Sequence, residues 1–266
     1  MRLIYLILIL LISSNITAQN LNFRGARASG VGNAVTALSD EWSYFYNPGA
    51  ISFTENSSIG INYSNHYLLN ELQQQDLVYN QKMKRGVFSS AISYSGFNAL
   101  SHVKFGAGYA LNLSDKFSLG VQFNYFQKRY IQVGNLQQKR ITTEIGTLYK
   151  VSPNWTMGVV IHDLEGFLRD KSENLSDLRL GSDFIFSDKL HLLVEGYKSF
   201  YTPFQLKAGL EYQPIKTFFF RVGVVNNPLN LAFGMGCHFA KFNFDLSSTY
   251  HTALGWSPSI SMSYAF

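Results

Sequence analysis

The chain has 266 residues, a formal net charge of +5 and a single cysteine, Cys237. One cysteine excludes an internal disulfide and a thiolate zinc centre. The excess positive charge is spread out, with no run of Lys and Arg, which argues against a nucleic-acid partner.

Residues 1–18 read as a secretory signal peptide. Arg2 is the charged start, Leu3 to Ile12 the apolar run, and Thr17-Ala18 precede a cut before Gln19. That run is too short to span a bilayer, and no Cys follows the cut to carry a lipid anchor. Removing 18 of the 266 residues leaves 248, enough for one large barrel or one domain.

Residues 19–55 form a segment of different character. Gly25-Ala26-Arg27-Ala28-Ser29-Gly30-Val31-Gly32-Asn33-Ala34 is rich in small residues that can lie close to neighbouring backbone. Val35 to Trp42, including Asp40, is expected to continue it as a short helix. Asn47-Pro48-Gly49 then forces a turn. The glycines are not a phosphate-binding loop, because no strand precedes them and no Lys-Ser/Thr follows.

From residue 56 onward the pattern is strand after strand. The expected strands are 56–66, 72–83, 86–96, 101–113, 115–130, 138–151, 154–163, 177–187, 188–198, 203–213, 216–226, 229–239, 241–250 and 258–266. The 72–83 stretch also admits a helical or irregular reading. About fourteen strands is an even number, as a closed antiparallel barrel in the outer membrane requires. Tight connections are expected at 84–86, 114–115, 152–154, 213–215 and 240–241, with a further one at 187–188. Longer ones fall near 67–71, 97–100, 131–137, 164–176, 199–202 and 251–257. Short turns on one side and longer loops on the other is the outer-membrane arrangement, with short turns periplasmic.

The end of the chain alternates without a break. Ile260, Met262, Tyr264 and Phe266 share one face, and Ser259, Ser261, Ser263 and Ala265 the other. An apolar face of this kind in every strand calls for lipid as its partner. The opposite parity collects the charges. Lys104, Arg140, Arg179, Lys207 and Arg221 are basic; Glu144, Asp183, Glu195, Glu211 and Asp245 are acidic. Near balance predicts ion-paired filling of the lumen rather than an ion-selective ring. Lumen glycines such as Gly120, Gly209, Gly223 and Gly234 leave room for the N-terminal segment or for a hydrophobic ligand.

No enzyme is expected. The six histidines lack metal-ligand spacing, no GxSxG occurs, and His162-Asp163 reads as a strand leaving the membrane. No catalytic residue, metal or cofactor is assigned.

The opening motif, with Gly25, Arg27, Gly30, Gly32 and Asn33 followed by Asp40, Trp42, Asn47 and Pro48, resembles the N-terminal signature of the FadL-like superfamily of outer-membrane barrels. It is most similar to the PorV/PorQ-type proteins of Bacteroidota. That resemblance implies a fourteen-stranded barrel with its N-terminal segment in the lumen. It also implies service in type IX secretion, as an accessory or interaction subunit of a secretion or outer-membrane assembly complex. The alternative it implies is a FadL-like transporter of hydrophobic small molecules. A general diffusion porin is the third possibility. Expected partners are outer-membrane lipid, the barrel-assembly machinery, for which the terminal strand resembles the recognition signal, and other outer-membrane or secretion-complex proteins.

Overall fold

The computed structural model describes residues 24–97, 99–131, 136–169, 176–200 and 202–266. The expected signal peptide and residues 19–23 of the N-terminal segment lie outside them. The fourteen strands are β1 (Ser58–Asn65), β2 (Gln73–Met83), β3 (Gly86–Phe97), β4 (Leu100–Asn112), β5 (Phe117–Tyr130), β6 (Leu136–Ser152) and β7 (Trp155–His162). They continue as β8 (Asp177–Ser187), β9 (Leu190–Ser199), β10 (Gln205–Ile215), β11 (Phe218–Val225), β12 (Asn230–Phe239), β13 (Phe242–His251) and β14 (Gly255–Ala265). Each strand pairs with its chain neighbours and β14 pairs back onto β1, so the sheet is a closed antiparallel barrel. No described helix is long and apolar enough to cross a membrane. The backbone polar groups of the wall are satisfied strand to strand, which is what a bilayer demands.

Closure follows from two matching alternations. In β1 the small polar residues Ser58, Asn62 and Ser64 are buried while Ile59, Ile61 and Tyr63 are exposed. Its register against β14 pairs Ile61 with Met262 and Ser64 with Ser259, like with like. On the inner face Ser259 donates to Asn62 Oδ1 at 3.0 Å, and the Ser64 and Ser259 hydroxyls lie 2.9 Å apart. Phe266 N donates to Ser57 O at 2.9 Å, extending the seam past the last strand residue. Ile260 and Phe266 are exposed outward. The rings of Phe266 and Tyr264 stack on that side of the wall.

Three local expectations change. Residues 35–42 are turns rather than a helix: helix α1 spans only Ala26–Gly30, and Gly32 and Asn33 at positive φ (65° and 58°) end the helical path. Short 3₁₀ turns at Ser43–Phe45 and Ala50–Phe53 follow. Gln213-Pro214-Ile215 is not the turn. The strand β10 absorbs Pro214 in an irregularity between Tyr212 and Ile215, and Lys216-Thr217 reverses the chain. A proline without an N–H is tolerated where the ladder is already interrupted. Finally, the 97–100 connection is tight, with Phe97 paired to Leu100. The 72–83 stretch is a strand, preceded by 3₁₀ turns at His66–Leu68 and Asn70–Leu72.

Candidate functional site

Residues 24–55 pack inside the barrel. Val31, Val35, Leu38, Trp42, Tyr44, Phe45 and Tyr46 form one buried apolar cluster, joined by Val78 of β2 and Leu193 of β9. Gly25 precedes α1 with φ of 86°, and Tyr46 donates to the Arg24 carbonyl, so the segment folds back on itself. Its α1 turn lies along β12 and β13, with Gly30 against Gly234. The wall is glycine where the backbone passes closest. A Cβ at Gly120 would collide with Pro48, and one at Gly223 with Gly32.

Two polar anchors fix the segment. Glu195 Oε2 on β9 accepts from Val35 N and Thr36 N, both at 3.0 Å, and from Thr36 Oγ1 at 2.8 Å. Its other oxygen takes Lys207 Nζ at 2.6 Å, and Lys207 also reaches Asn33 O at 3.4 Å. The second anchor is Asn47. Its amide donates to Thr36 O and Thr147 O, each at 2.8 Å, while its oxygen accepts from Gly49 N at 3.0 Å. One side chain therefore ties the turn before Pro48 both to the segment and to β6.

The inward charges are not spread evenly; they gather in groups. Toward the short-turn side, Arg27 bridges Glu211 at 2.7 Å and Asp40 at 3.3 Å, while Arg221 holds both Glu211 and Asp245. Asp40 Oδ1 also accepts from Trp42 N at 2.9 Å. Burial pushes the Asp40 carboxyl up to about 7, against the opposing pull of Arg27. Toward the long-loop side, Lys104 pairs with Glu144 at 3.1 Å and Arg179 with Asp177 at 2.7 Å. Higher still, Arg140 pairs with Asp163. Asp183 stands apart from the segment and meets His191 across the β8–β9 ladder at 3.2 Å.

Several members were not assigned to the inward charges from sequence. Arg24, Asp76, Asp163, Asp177 and His162 all join the network. Asp177 was legible in principle: it lies two residues from Arg179, on the same face of β8. Asp76 shares its parity with Asn80 in β2, the strand hardest to read. His162 closes β7 and has Nδ1 2.9 Å from Asp177 Oδ1, so it does not form a dyad with its chain neighbour Asp163. Among the described residues no group of His, Cys, Asp and Glu is placed to hold a metal.

Above the segment, on the long-loop side, lies a small cavity open to solvent. Arg24 and Phe45 of the segment form its floor. Lys104, Phe126, Thr142 and Glu144 from β4 to β6 make one wall, and His162, Asp177 and Arg179 another. The Lys104 ammonium sits 5.1 Å from the centre of the Phe126 ring and the Arg24 guanidinium 4.9 Å from that of Phe45. Thr142 Oγ1 is buried without a hydrogen-bond partner. Beside the cavity, helix α2 (Leu164–Arg169) brings Phe167 to 5.4 Å from Phe200 and leaves Leu168 exposed.

No family model and no curated protein matches the sequence. Solved structures do match in fold. The Ralstonia pickettii toluene transporter TbuX superposes with a TM-score of 0.68 at 13% identity, covering 93% of this chain and 99% of TbuX. The Pseudomonas putida toluene transporter TodX gives 0.67 at 11%, covering 93% and 99%. A Pseudomonas aeruginosa FadL homologue gives 0.63 at 13%, covering 91% and 98%. At such identities the likeness establishes architecture, and with the closed fourteen-stranded wall it makes this chain an integral outer-membrane protein with the FadL-like barrel fold.

Proposed function

We propose that this chain is an outer-membrane channel for small hydrophobic molecules, with monoaromatic hydrocarbons the first class to test. The observation that carries the reading is the cavity above the N-terminal segment. Phe45 and Phe126 line it, and the charged side chains around them, Lys104 with Glu144 and Arg179 with Asp177, are paired with one another. Phe167, Leu168 and Phe200 supply an apolar approach from the long-loop side. The fold shared with TbuX and TodX supports the same class of cargo. Onward passage requires residues 24–55 to shift, since they fill the short-turn half of the lumen. The test is uptake of dilute labelled toluene by Gram-negative cells whose intact lipopolysaccharide-bearing outer membrane holds the protein. Uptake faster than that of the same cells without it is expected, reduced by Thr142→Trp, which fills the cavity. A rate equal to that of cells without the protein overturns the reading.

A second reading is an accessory subunit of a secretion or assembly complex, as the PorV/PorQ resemblance implies. It draws on the ion pairs and hydrogen bonds that tie the segment across the lumen. Affinity purification from native outer membranes should then recover a stoichiometric partner; a chain that purifies alone removes this reading. A general diffusion porin needs an open aqueous bore, which the packed segment opposes.

A further inference from the structure

The rim formed by the short turns carries charge of one predominant sign. Lys84 and Arg85 form the β2–β3 turn, and Lys116, Lys189, Lys216 and Lys241 lie in four of the other five. All six are exposed, and none has an ion-pair partner among the described residues. Only Asp115 and Asp188 oppose them in these turns, leaving a net of +4 from six cations and two carboxylates. The remaining turn, β6–β7, has Lys150 beside it, its ammonium 3.9 Å from the centre of the Phe53 ring. The cations therefore recur in five of the six short turns, all at the same end of the strands.

What lies next to each cation identifies its surroundings. Met83, Leu113, Phe186, Ile215 and Phe239 are 46–70% exposed, and each precedes a rim cation by three residues or fewer. Lys241 Nζ also sits 6.0 Å over the Tyr264 ring. An ammonium just beyond an exposed apolar side chain, repeated around the wall, marks the level where hydrocarbon gives way to headgroups. The opposite rim is different. Its exposed cations among the described residues are Arg129 and Lys139 on the β5–β6 hairpin and Lys198 at the end of β9, whose ammonium donates to Thr202 O, while the described connections there carry the carboxylates Glu71, Asp163 and Glu165.

We infer that the short-turn rim binds the headgroups of anionic phospholipids in the periplasm-facing leaflet. Short turns face the periplasm in barrels of this class. Juxtamembrane cations gain from a negatively charged lipid surface within a Debye length. Cations in five of the six short turns fit a leaflet, whereas an acidic protein partner would call for a patch on one side.

The full mature chain is reconstituted in vesicles of equal phosphatidylglycerol and phosphatidylethanolamine, and the lipids it retains are counted by native mass spectrometry. Phosphatidylglycerol should be retained in preference, less so at high salt. Changing all six rim cations to Gln should abolish the preference. The pairs Lys84→Gln with Arg85→Gln, and Lys216→Gln with Lys241→Gln, should each lower it, by about fivefold for every cation that touches lipid. These pairs keep the test valid if the sixfold variant does not insert. The control, Arg129→Gln with Lys139→Gln on the other rim, should leave it unchanged. Equal retention of both lipids, an equal loss in the control, or capture of an acidic protein by the rim without any lipid preference overturns the inference.

Discussion

At the residue scale, Glu195 is the position on which the seating of the N-terminal segment most depends. Its two oxygens serve Val35, Thr36 and Lys207 together, and it is fully buried. A buried carboxylate is tolerable only because these partners replace its water. Glu195→Leu would leave the Lys207 ammonium buried without its counter-charge and two backbone N–H groups unpaired. We expect a loss of about 3–5 kcal/mol in urea unfolding from vesicles. Glu195→Gln, which keeps an acceptor oxygen, should lose less. Equal midpoints for Glu195→Leu and the parent would remove this anchor from the account. The parity of Glu195 was legible from sequence. Its partners were not, because Val35 and Thr36 are reached through a segment path that no periodicity encodes.

At the element scale, strand alternation separates two environments with unlike tolerances. In β12, Leu231, Phe233 and Met235 face out while Asn230 and Ala232 are buried inside. Leu231→Arg would place a guanidinium against lipid hydrocarbon. The expected cost is about 2–4 kcal/mol, read from bilayer unfolding, and a variant as stable as the parent would contradict the facing of this strand. Strand number and most boundaries follow from the same alternation, which is why fourteen strands were readable. Pro214 shows its limit. A proline after Gln213 reads as a turn, yet the ladder tolerates it as an irregularity and the reversal comes two residues later. Whether a proline breaks or merely bends a strand depends on the partner strand, which is not local information.

For the whole molecule, the seam between β1 and β14 decides whether the sheet has an edge. The register places Ile61 opposite Met262 on the outer face. With Cys237 changed to Ser, the pair Ile61→Cys and Met262→Cys should oxidise to a link that keeps the barrel closed in detergent. Ile61→Cys with Ser261→Cys puts the thiols on opposite faces and should not react. Absence of the first link, or formation of the second, would show a different closure. The closed wall then sets the problem that the N-terminal segment solves: a lumen lined by charges must be wet, paired or filled. Here the segment supplies Arg24, Arg27 and Asp40 as partners and leaves the cavity on the long-loop side as the open space.

The sequence by itself determined that this chain is a fourteen-stranded barrel, which side chains face lipid, and that its lumen charges nearly balance. These are consequences of a two-residue period, which every expected strand but 72–83 declares by itself. Only the tertiary structure decided which charges meet. Arg27 reaches Glu211 across 184 positions, and Thr36 reaches Glu195 across 159. Such contacts depend on barrel stagger and on the route of residues 24–55, neither of which leaves a periodic trace. The cavity beneath the long connections arises in the same way, from where the segment stops filling the lumen.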